Sequence, residues 1–294
     1  MKTVYTLNLD PAFNPTASFQ NALTFKHTTF PGGEPNFGIT SKVDAIQFAR
    51  LIITQRFNSV EDLMLIVIAT DAARRMGFTD ISLVLPYFPA ARQDRVCNPG
   101  ESLTIKVFAD MINACKFSNV KIYSPHSEVT PALIDNCTLI ELDEEFLKMI
   151  IMSDHLDSSK EVNIVCPDAG AGKRVGKLAK FVAERFPYLK VNLIRCEKIR
   201  DVKTGDLKEF FVQADDLGGF PSIICDDIVA YGGTFKGLGE VLKQKNCGKL
   251  MLFTSHADCL EGLVNMTKYF DGVFTSNSKK DWETPGLTTF KIIV

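Results

Sequence analysis

Two aspartates in succession follow an apolar run in the segment SIICDDIVAYGGT, where Asp226 and Asp227 come after Ile223, Ile224 and Cys225. Adjacent carboxylates repel, and burying them unpaired is costly. A cis-diol or a bound cation satisfies them. Next come Gly232, Gly233 and Thr234 at the expected start of a helix. Glycine lets the backbone wrap an anion, and a helix N-terminus supplies free N–H groups. Carboxylates for ribose hydroxyls beside an amide nest for phosphate describe a sugar-phosphate site, built from Asp226, Asp227, Ala230, Tyr231, Gly232, Gly233 and Thr234.

A second glycine-rich loop, CPDAGAGKRVGKLA, follows another apolar run. Asp168 stands where the strand should end, Ala169, Gly170, Ala171 and Gly172 form the turn, and Lys173 and Arg174 begin a helix. A diphosphate could sit on these amides, with Mg²⁺ held by the carboxylate. A third loop, LVLPYFPAARQDR, carries Arg92 and Gln93; arginine offers a planar fork for phosphate and a face for stacking. A fourth, LIRCEKIRDVKTGDL, puts Lys198 and Arg200 at a strand end, where cations stabilise negative charge during phosphoryl transfer.

The elements that must position these loops alternate along the chain. KTVYTLNL, DISLVLPYF, NVKIYSPH, VNIVCPDAG, KVNLIRC, PSIICDDIV, KLMLFTSHA and GVFTSN read as strands, and LTTFKIIV ends the chain. Residues 42–53, 62–76, 103–114, KRVGKLAKFVAERF and FKGLGEVLKQK carry helical spacing. This βα alternation predicts parallel sheets flanked by helices, an α/β fold. Such sheets bind ligands at the carboxyl ends of strands, near the reversal of strand order. Two similar halves are expected, 1–147 and 148–294.

The 294 residues are 46% hydrophobic and 23% charged, with a formal net charge of −2. No global field favours nucleic acid or an anionic membrane, so neither is expected as a partner. The 8 cysteines are scattered without a CxxC pair, and 4 histidines show no ligand spacing. Reduced thiols in a cytoplasmic protein are expected, and a structural zinc site is not. MKTVYTLNLDPAFNP has no signal-peptide core, and no apolar run reaches the ~20 residues that span a bilayer.

Taken together, these loops resemble the ribose-phosphate pyrophosphokinase (phosphoribosyl-diphosphate synthetase) family. PYFPAARQDR resembles the family's PYFxYARQDR, with Ala90 in the second aromatic position; PDAGAG resembles its PDAGG or PDHGG loop; DDIVAYGGT resembles DDxxDTGGT; and CEKIR keeps its Lys-x-Arg pair. SPHSEVTPALID has the place of the family's DLHAxQIQGFFD, so His126 matches its magnesium-associated histidine. FPGGE resembles FSDGE or FANGE, in which Phe30 and Glu34 match residues that reach adenine from a neighbouring subunit.

The resemblance implies two phosphoribosyltransferase-like domains and a homo-oligomer, dimer or higher. It implies Mg²⁺-dependent transfer of the β,γ-diphosphoryl group of ATP to the 1-hydroxyl of ribose 5-phosphate, releasing AMP and serving nucleotide biosynthesis. ATP falls to Arg92, Gln93 and His126 with Phe30 and Glu34; the diphosphate to Asp168 and its loop; the metal to His126 and Asp168; catalysis to Lys198, Arg200 and His126. The chain departs from the family at Ala230 and Tyr231, which replace an Asp-Thr pair at the 5-phosphate end of the loop. A ring there suits a larger group on which it can stack. ADP-ribose is such an acceptor, and its 1-diphosphate would be an activated donor for NAD synthesis. A non-catalytic regulatory relative is the alternative of another class. Many members also continue beyond FKIIV with a helix and a tail used in ADP inhibition.

Overall fold

The computed structural model describes residues 2–16, 21–43, 46–156, 159–200 and 207–293, with the side chains at 47, 199–200 and 207–209 outside that description. The chain divides into two compact units: Met1–Ile140 with Ser278–Lys280 and Lys291–Val294, and Glu141–Asn277 with Asp281–Phe290. The division falls at 140/141 rather than at 147/148, because helix Asp143–Ile151 packs on a helix of the second unit. Two short C-terminal segments group with the first unit.

The first unit runs β1 (Thr3–Asn8), β2 (Phe25–Thr29), β3 (Pro35–Ile39), β4 (Ala49–Thr54), α1 (Val60–Met76), β5 (Asp80–Leu85), α2 (Thr104–Ala114), β6 (Asn119–Tyr123), α3 (Val129–Leu133) and β7 (Cys137–Ile140). Its main sheet has the order β1-β4-β5-β6-β7, all parallel. Helical spacing over 42–53 is not realised: 46–48 form a 3-10 turn and Ala49–Thr54 is a strand between β1 and β5. A strand buried on both faces reads as a continuous apolar run, which periodicity cannot separate from a buried helix. Leu51, Ile53, Ile81, Leu83 and Leu85 are fully enclosed in this core. α1 follows the local rules closely. Asp62 accepts the N–H groups of Asn58 and Ser59 at its start, and Gly77, at φ +109°, ends it in the left-handed region. β2 and β3 form a separate antiparallel hairpin.

The second unit runs α4 (Asp143–Ile151), β8 (Glu161–Cys166), α5 (Gly172–Arg185), β9 (Lys190–Arg200), β10 (Leu207–Val212), β11 (Ser222–Val229), α6 (Gly233–Gln244), β12 (Leu250–Ala257), α7 (Leu260–Met266), β13 (Gly272–Ser276) and β14 (Leu287–Phe290). The sheet order is β10-β9-β8-β11-β12-β13-β14, parallel except that β10 runs antiparallel to β9. From β8 the chain steps to β9 on one side; β11 then returns to the other side. The order therefore reverses between β8 and β11, where an α/β sheet opens a crevice at its carboxyl edge. The glycine-rich loops after β8 and β11 both leave from that edge. Among the described residues no helix is long and apolar enough to cross a membrane, and the 8 cysteines are free thiols.

Candidate active site

The loop after β8 is built around one carboxylate. β8 ends at Cys166 and α5 begins at Gly172, so Asp168 lies in the turn rather than at the strand end. Its Oδ1 accepts the N–H of Ala171 at 3.1 Å, and its Oδ2 accepts Lys198 Nζ from β9 at 2.6 Å. Burial raises the Asp168 pKa, but the hydrogen bond and charge of Lys198, with the N–H groups of Ala171 and Gly170, outweigh it; the net shift is downward. The carboxylate is thus held ionised against its partial burial. A Cβ on Gly170 would lie 3.2 Å from Asp168 Oδ1, a tight approach that favours glycine. Ala169 and Gly170 are exposed, and their backbone opens towards solvent at the helix start.

On the neighbouring strand, Asp226 and Asp227 lie inside β11, which runs on to Val229, rather than at its end. The N–H of Asp227 donates to Asp226 Oδ1 at 2.9 Å. Burial, then the charge and hydrogen bond of Asp227, push Asp226 up to about 7. The two carboxyls therefore share their charge near neutral pH, the behaviour of like groups that cannot both ionise cheaply. Gly232, at φ +81°, is the N-cap of α6, and Thr234 lies within the helix instead of capping it. Gly233 is exposed with no atom within 4 Å of a Cβ built on it, so its glycine is not demanded by the protein's own packing.

The turn between β11 and α6 is pressed from below by α7. A Cβ on Gly262 would lie 1.6 Å from the Ala230 carbonyl oxygen, and one on Gly232 would lie 2.5 Å from the Met266 methyl. Cys259 Sγ donates to Ala230 O at 3.5 Å, and Asp258 N donates to Val229 O at 2.8 Å. Tyr231 is thereby presented outward, with 71% of its surface exposed. Sequence reasoning passed over Gly262, because nothing local to EGLVNM signals an approach of another backbone.

In the first unit, the loops after the adjacent parallel strands β5 and β6 converge. Ala90 adopts φ +56° and Gln93 N donates to Ala90 O at 2.8 Å, a turn that leaves Arg92 and Gln93 exposed. An alanine in the left-handed region is uncommon, and such outliers concentrate at binding loops. Asp94 sits below the ordinary carboxylate range: the Arg95 hydrogen bond lowers it, burial opposes, and Ser127 and the His126 charge lower it further. The two loops that carry Arg92, Gln93 and His126 thus meet through Asp94. Phe30 and Glu34 bracket the β2–β3 tip, where Phe30 N donates to Glu34 O at 2.9 Å and Gly33 takes φ +89°. Phe30 is 55% exposed. Lys198 lies on β9 opposite Phe210 of β10. Arg200 ends β9, and its side chain lies outside the described residues.

Magnesium prefers oxygen ligands and keeps waters and substrate phosphate oxygens around one or two carboxylates. Asp168, ionised and beside an open amide turn, fits that donor chemistry. His126 offers nitrogen, a poorer donor for this ion, while Asp94 beside it offers oxygen. Among the described residues no group of three or more His, Cys, Asp or Glu side chains could hold a metal ion, so phosphate and water would supply most of its ligands.

Two mainly parallel α/β units flanked by helices, with loops leaving the carboxyl ends of their strands, define the phosphoribosyltransferase-like class of fold. The solved phosphoribosylpyrophosphate synthetase of Mycobacterium smegmatis superposes with a TM-score of 0.83 at 19% identity, over 99% of this chain and 95% of that one. Residues 20–115 match the family description "N-terminal domain of ribose phosphate pyrophosphokinase". The ribose-phosphate pyrophosphokinase of Campylobacter jejuni is 29% identical over 199 residues, 67% of this chain and 60% of the relative. That of Agrobacterium fabrum is 30% identical over 217 residues, 73% and 66%, and that of Pyrococcus abyssi 24% identical over 249 residues, 83% and 80%. The similarity to the C. jejuni relative thus spans 60% of its length. The chain belongs to the ribose-phosphate pyrophosphokinase family.

Proposed function

We propose that the protein transfers the β,γ-diphosphoryl group of ATP to the anomeric hydroxyl of a ribose 5-phosphate, in the cytoplasm and as a homo-oligomer. The observation that carries this reading is the pairing of loops at the sheet reversal. Asp168 with Lys198 follows β8, and Asp226–Asp227 with the Gly232–Gly233 turn follows on β11. One loop suits a diphosphate, the other a ribose diol and its phosphate.

In this reading the 1-hydroxyl oxygen attacks the β-phosphorus of ATP. Its bond to that phosphorus forms, the bond from the β-phosphorus to the α–β bridging oxygen breaks, AMP leaves with that oxygen, and the hydroxyl proton passes to solvent. Asp226 and Asp227 orient the diol, and the amides of Ala169, Gly170, Ala171 and Gly172 seat the diphosphate. Lys198 neutralises charge as it shifts to the leaving oxygen, with Arg200 assigned the same role. Arg92, Gln93 and His126 bind ATP, and Phe30 and Glu34 reach adenine from a neighbouring subunit. Asp168, with phosphate oxygens of the substrate, would hold Mg²⁺, and His126 is assigned to the metal too; the ion would supply further charge neutralisation.

A second acceptor is favoured by one feature. Tyr231 is largely exposed at the 5-phosphate end of the ribose loop, beside Ala230. A phenol ring there suits stacking on a base, as in ADP-ribose, better than binding a dianionic monoester. The product would be ADP-ribose 1-diphosphate, a donor for NAD synthesis. The test is AMP release from ATP and Mg²⁺ with ribose 5-phosphate or ADP-ribose as sole acceptor. Release with the first alone supports the ordinary acceptor, release with the second alone the extended one. No release with either sinks the catalytic reading and favours a regulatory relative.

A further inference from the structure

Beneath the acidic pair lies a buried ionic cluster that the reaction chemistry above does not use. Side chains alternate along β11, so Cys225 and Asp227 share one face and Asp226 and Ile228 the other. The parallel register pairs Asp226 with Thr254 and Ile228 with His256, which places Ser255 of β12 on the face of Asp227. α5 brings Arg174 to that face. Its Nη2 donates to Asp143 Oδ2 at 2.5 Å and to Ser255 Oγ. Ser255 Oγ in turn donates to Asp143 Oδ1 at 2.6 Å. Asp143, at the start of α4, is 2% exposed. Two elements, α4 and β12, therefore fix a guanidinium carried by a third, α5. Its charge acts on Asp227 and Asp226, and the Cys225 thiol on the same face feels both Arg174 and Asp143.

A half-buried cation held this rigidly between two buried side chains is expensive unless it is matched. Asp143 alone would match it. The cluster instead shares its face with Asp227, and its charge also reaches Asp226 on the opposite face of a strand whose turn leads to the ribose loop. We propose that Arg174 is a positioning residue for the acceptor diol: clamped by Asp143 and Ser255, its guanidinium fixes the orientation of Asp227 on its own face, and its charge reaches Asp226 as well. This rests on the functional reading above. The groups around the pair are Arg174 and Asp143 from the helix side, Asp168 from the loop after β8, Cys225 on β11, Cys166 on β8 and His256 on β12.

The test has a readout that does not need turnover. Aspartate carboxyls are labelled with carbon-13 in the full chain, and the Asp226–Asp227 titration is followed by NMR in wild type, Arg174→Met, Arg174→Lys and Ser255→Ala. Loss of the cation raises the midpoint of the pair by about one pH unit or more in Arg174→Met, and Lys restores most of it. Ser255→Ala, which keeps the cation but loosens it, gives a smaller rise and serves if Arg174→Met does not fold. In AMP-release kinetics, KM for the ribose acceptor rises about tenfold or more in Arg174→Met, while KM for ATP holds. An unmoved midpoint in Arg174→Met and Ser255→Ala overturns the proposal, whatever the kinetics. A midpoint that moves in a protein releasing no AMP leaves the electrostatic coupling standing and removes the catalytic reading.

Discussion

Replacing Gly262 by alanine puts a carbon 1.6 Å from the Ala230 carbonyl oxygen, 2.8 Å from the Ala230 carbonyl carbon and 3.2 Å from Tyr231 Cα. Real Cβ atoms do not approach below 3.0 Å, so helix and turn must separate by at least about 1.4 Å. Both partners are backbone, and neither can swing aside as a side chain would. Overpacking usually costs about 1–3 kcal/mol, and a backbone-on-backbone clash belongs at the top of that range. At about 2–4 °C per kcal/mol for a chain of this size, the melting temperature falls by roughly 6–12 °C. Any part of the clash relieved by moving the turn displaces Ala230, Tyr231 and the cap of α6. A misplacement of about 1 Å can cost about a hundredfold in rate. The assays are thermal unfolding and AMP release at varied acceptor. Gly233→Ala is the internal contrast: no protein atom lies within 4 Å of its Cβ, so its melting temperature stays at or slightly above wild type, yet the methyl enters the space assigned to the acceptor phosphate and raises acceptor KM. A Gly262→Ala protein with wild-type melting and wild-type acceptor KM refutes the view that α7 templates the ribose loop.

Three other perturbations read separate parts of the site. Lys198→Ala removes the partner 2.6 Å from Asp168; kcat for AMP release falls by about 10²–10³, and an unchanged kcat would remove Lys198 from the chemistry. Asp226 is raised from 3.8 to about 7 in the folded protein, so the fold binds this proton more tightly than the unfolded chain does. Stability is therefore greatest below about pH 4 on this account, falls as pH rises towards 7, and is level above. The loss is on the order of 4 kcal/mol. Urea unfolding across that range should show the decline in wild type and not in Asp226→Asn, which gains stability at pH 8 while losing acceptor affinity. Tyr231→Ala, at an exposed position, leaves melting unchanged; if the acceptor is extended, KM for ADP-ribose rises about tenfold while KM for ribose 5-phosphate holds, and equal effects on both argue against stacking.

Much of the fold was legible because its rules are local. VNIVC and SIIC are buried strands that read as apolar runs, and α1 announces itself through Ser59, Asp62 and Gly77. The same rule misled at 42–53, where ARLIIT is apolar on both faces and carries no period. α7 and the β2–β3 hairpin are short or exposed elements with little signal of their own, whereas α4 does carry helical spacing, with Phe146, Leu147, Ile150 and Ile151 buried on one side, and its nine residues were passed over as the join between the halves. The loops of the candidate site were legible because their chemistry is written in adjacent residues: DD, GGT, PDAGAG. What supports those loops was not. Asp143, Arg174 and Ser255 lie far apart in the chain and meet only through the packing of α4 on α5 and the register of β12 on β11.

This division has a physical cause that extends to the acceptor question. A loop that contacts ligand must present several groups within one short stretch, so its composition is constrained locally. The scaffold beneath needs only that some residues fit a shape, and any distant part of the chain can provide them. Ala230 and Tyr231 belong to both classes. Their backbone is pinned from below by Gly262 and Cys259, with the Asp258 amide holding the preceding Val229 carbonyl, whereas the Tyr231 ring faces outward, unconstrained by that support. A change of side chain there leaves the turn intact and alters only what the turn meets. Acceptor preference can therefore shift at Tyr231 without any change in the diphosphate loop, and the ADP-ribose and ribose 5-phosphate readings differ at this one end of the site.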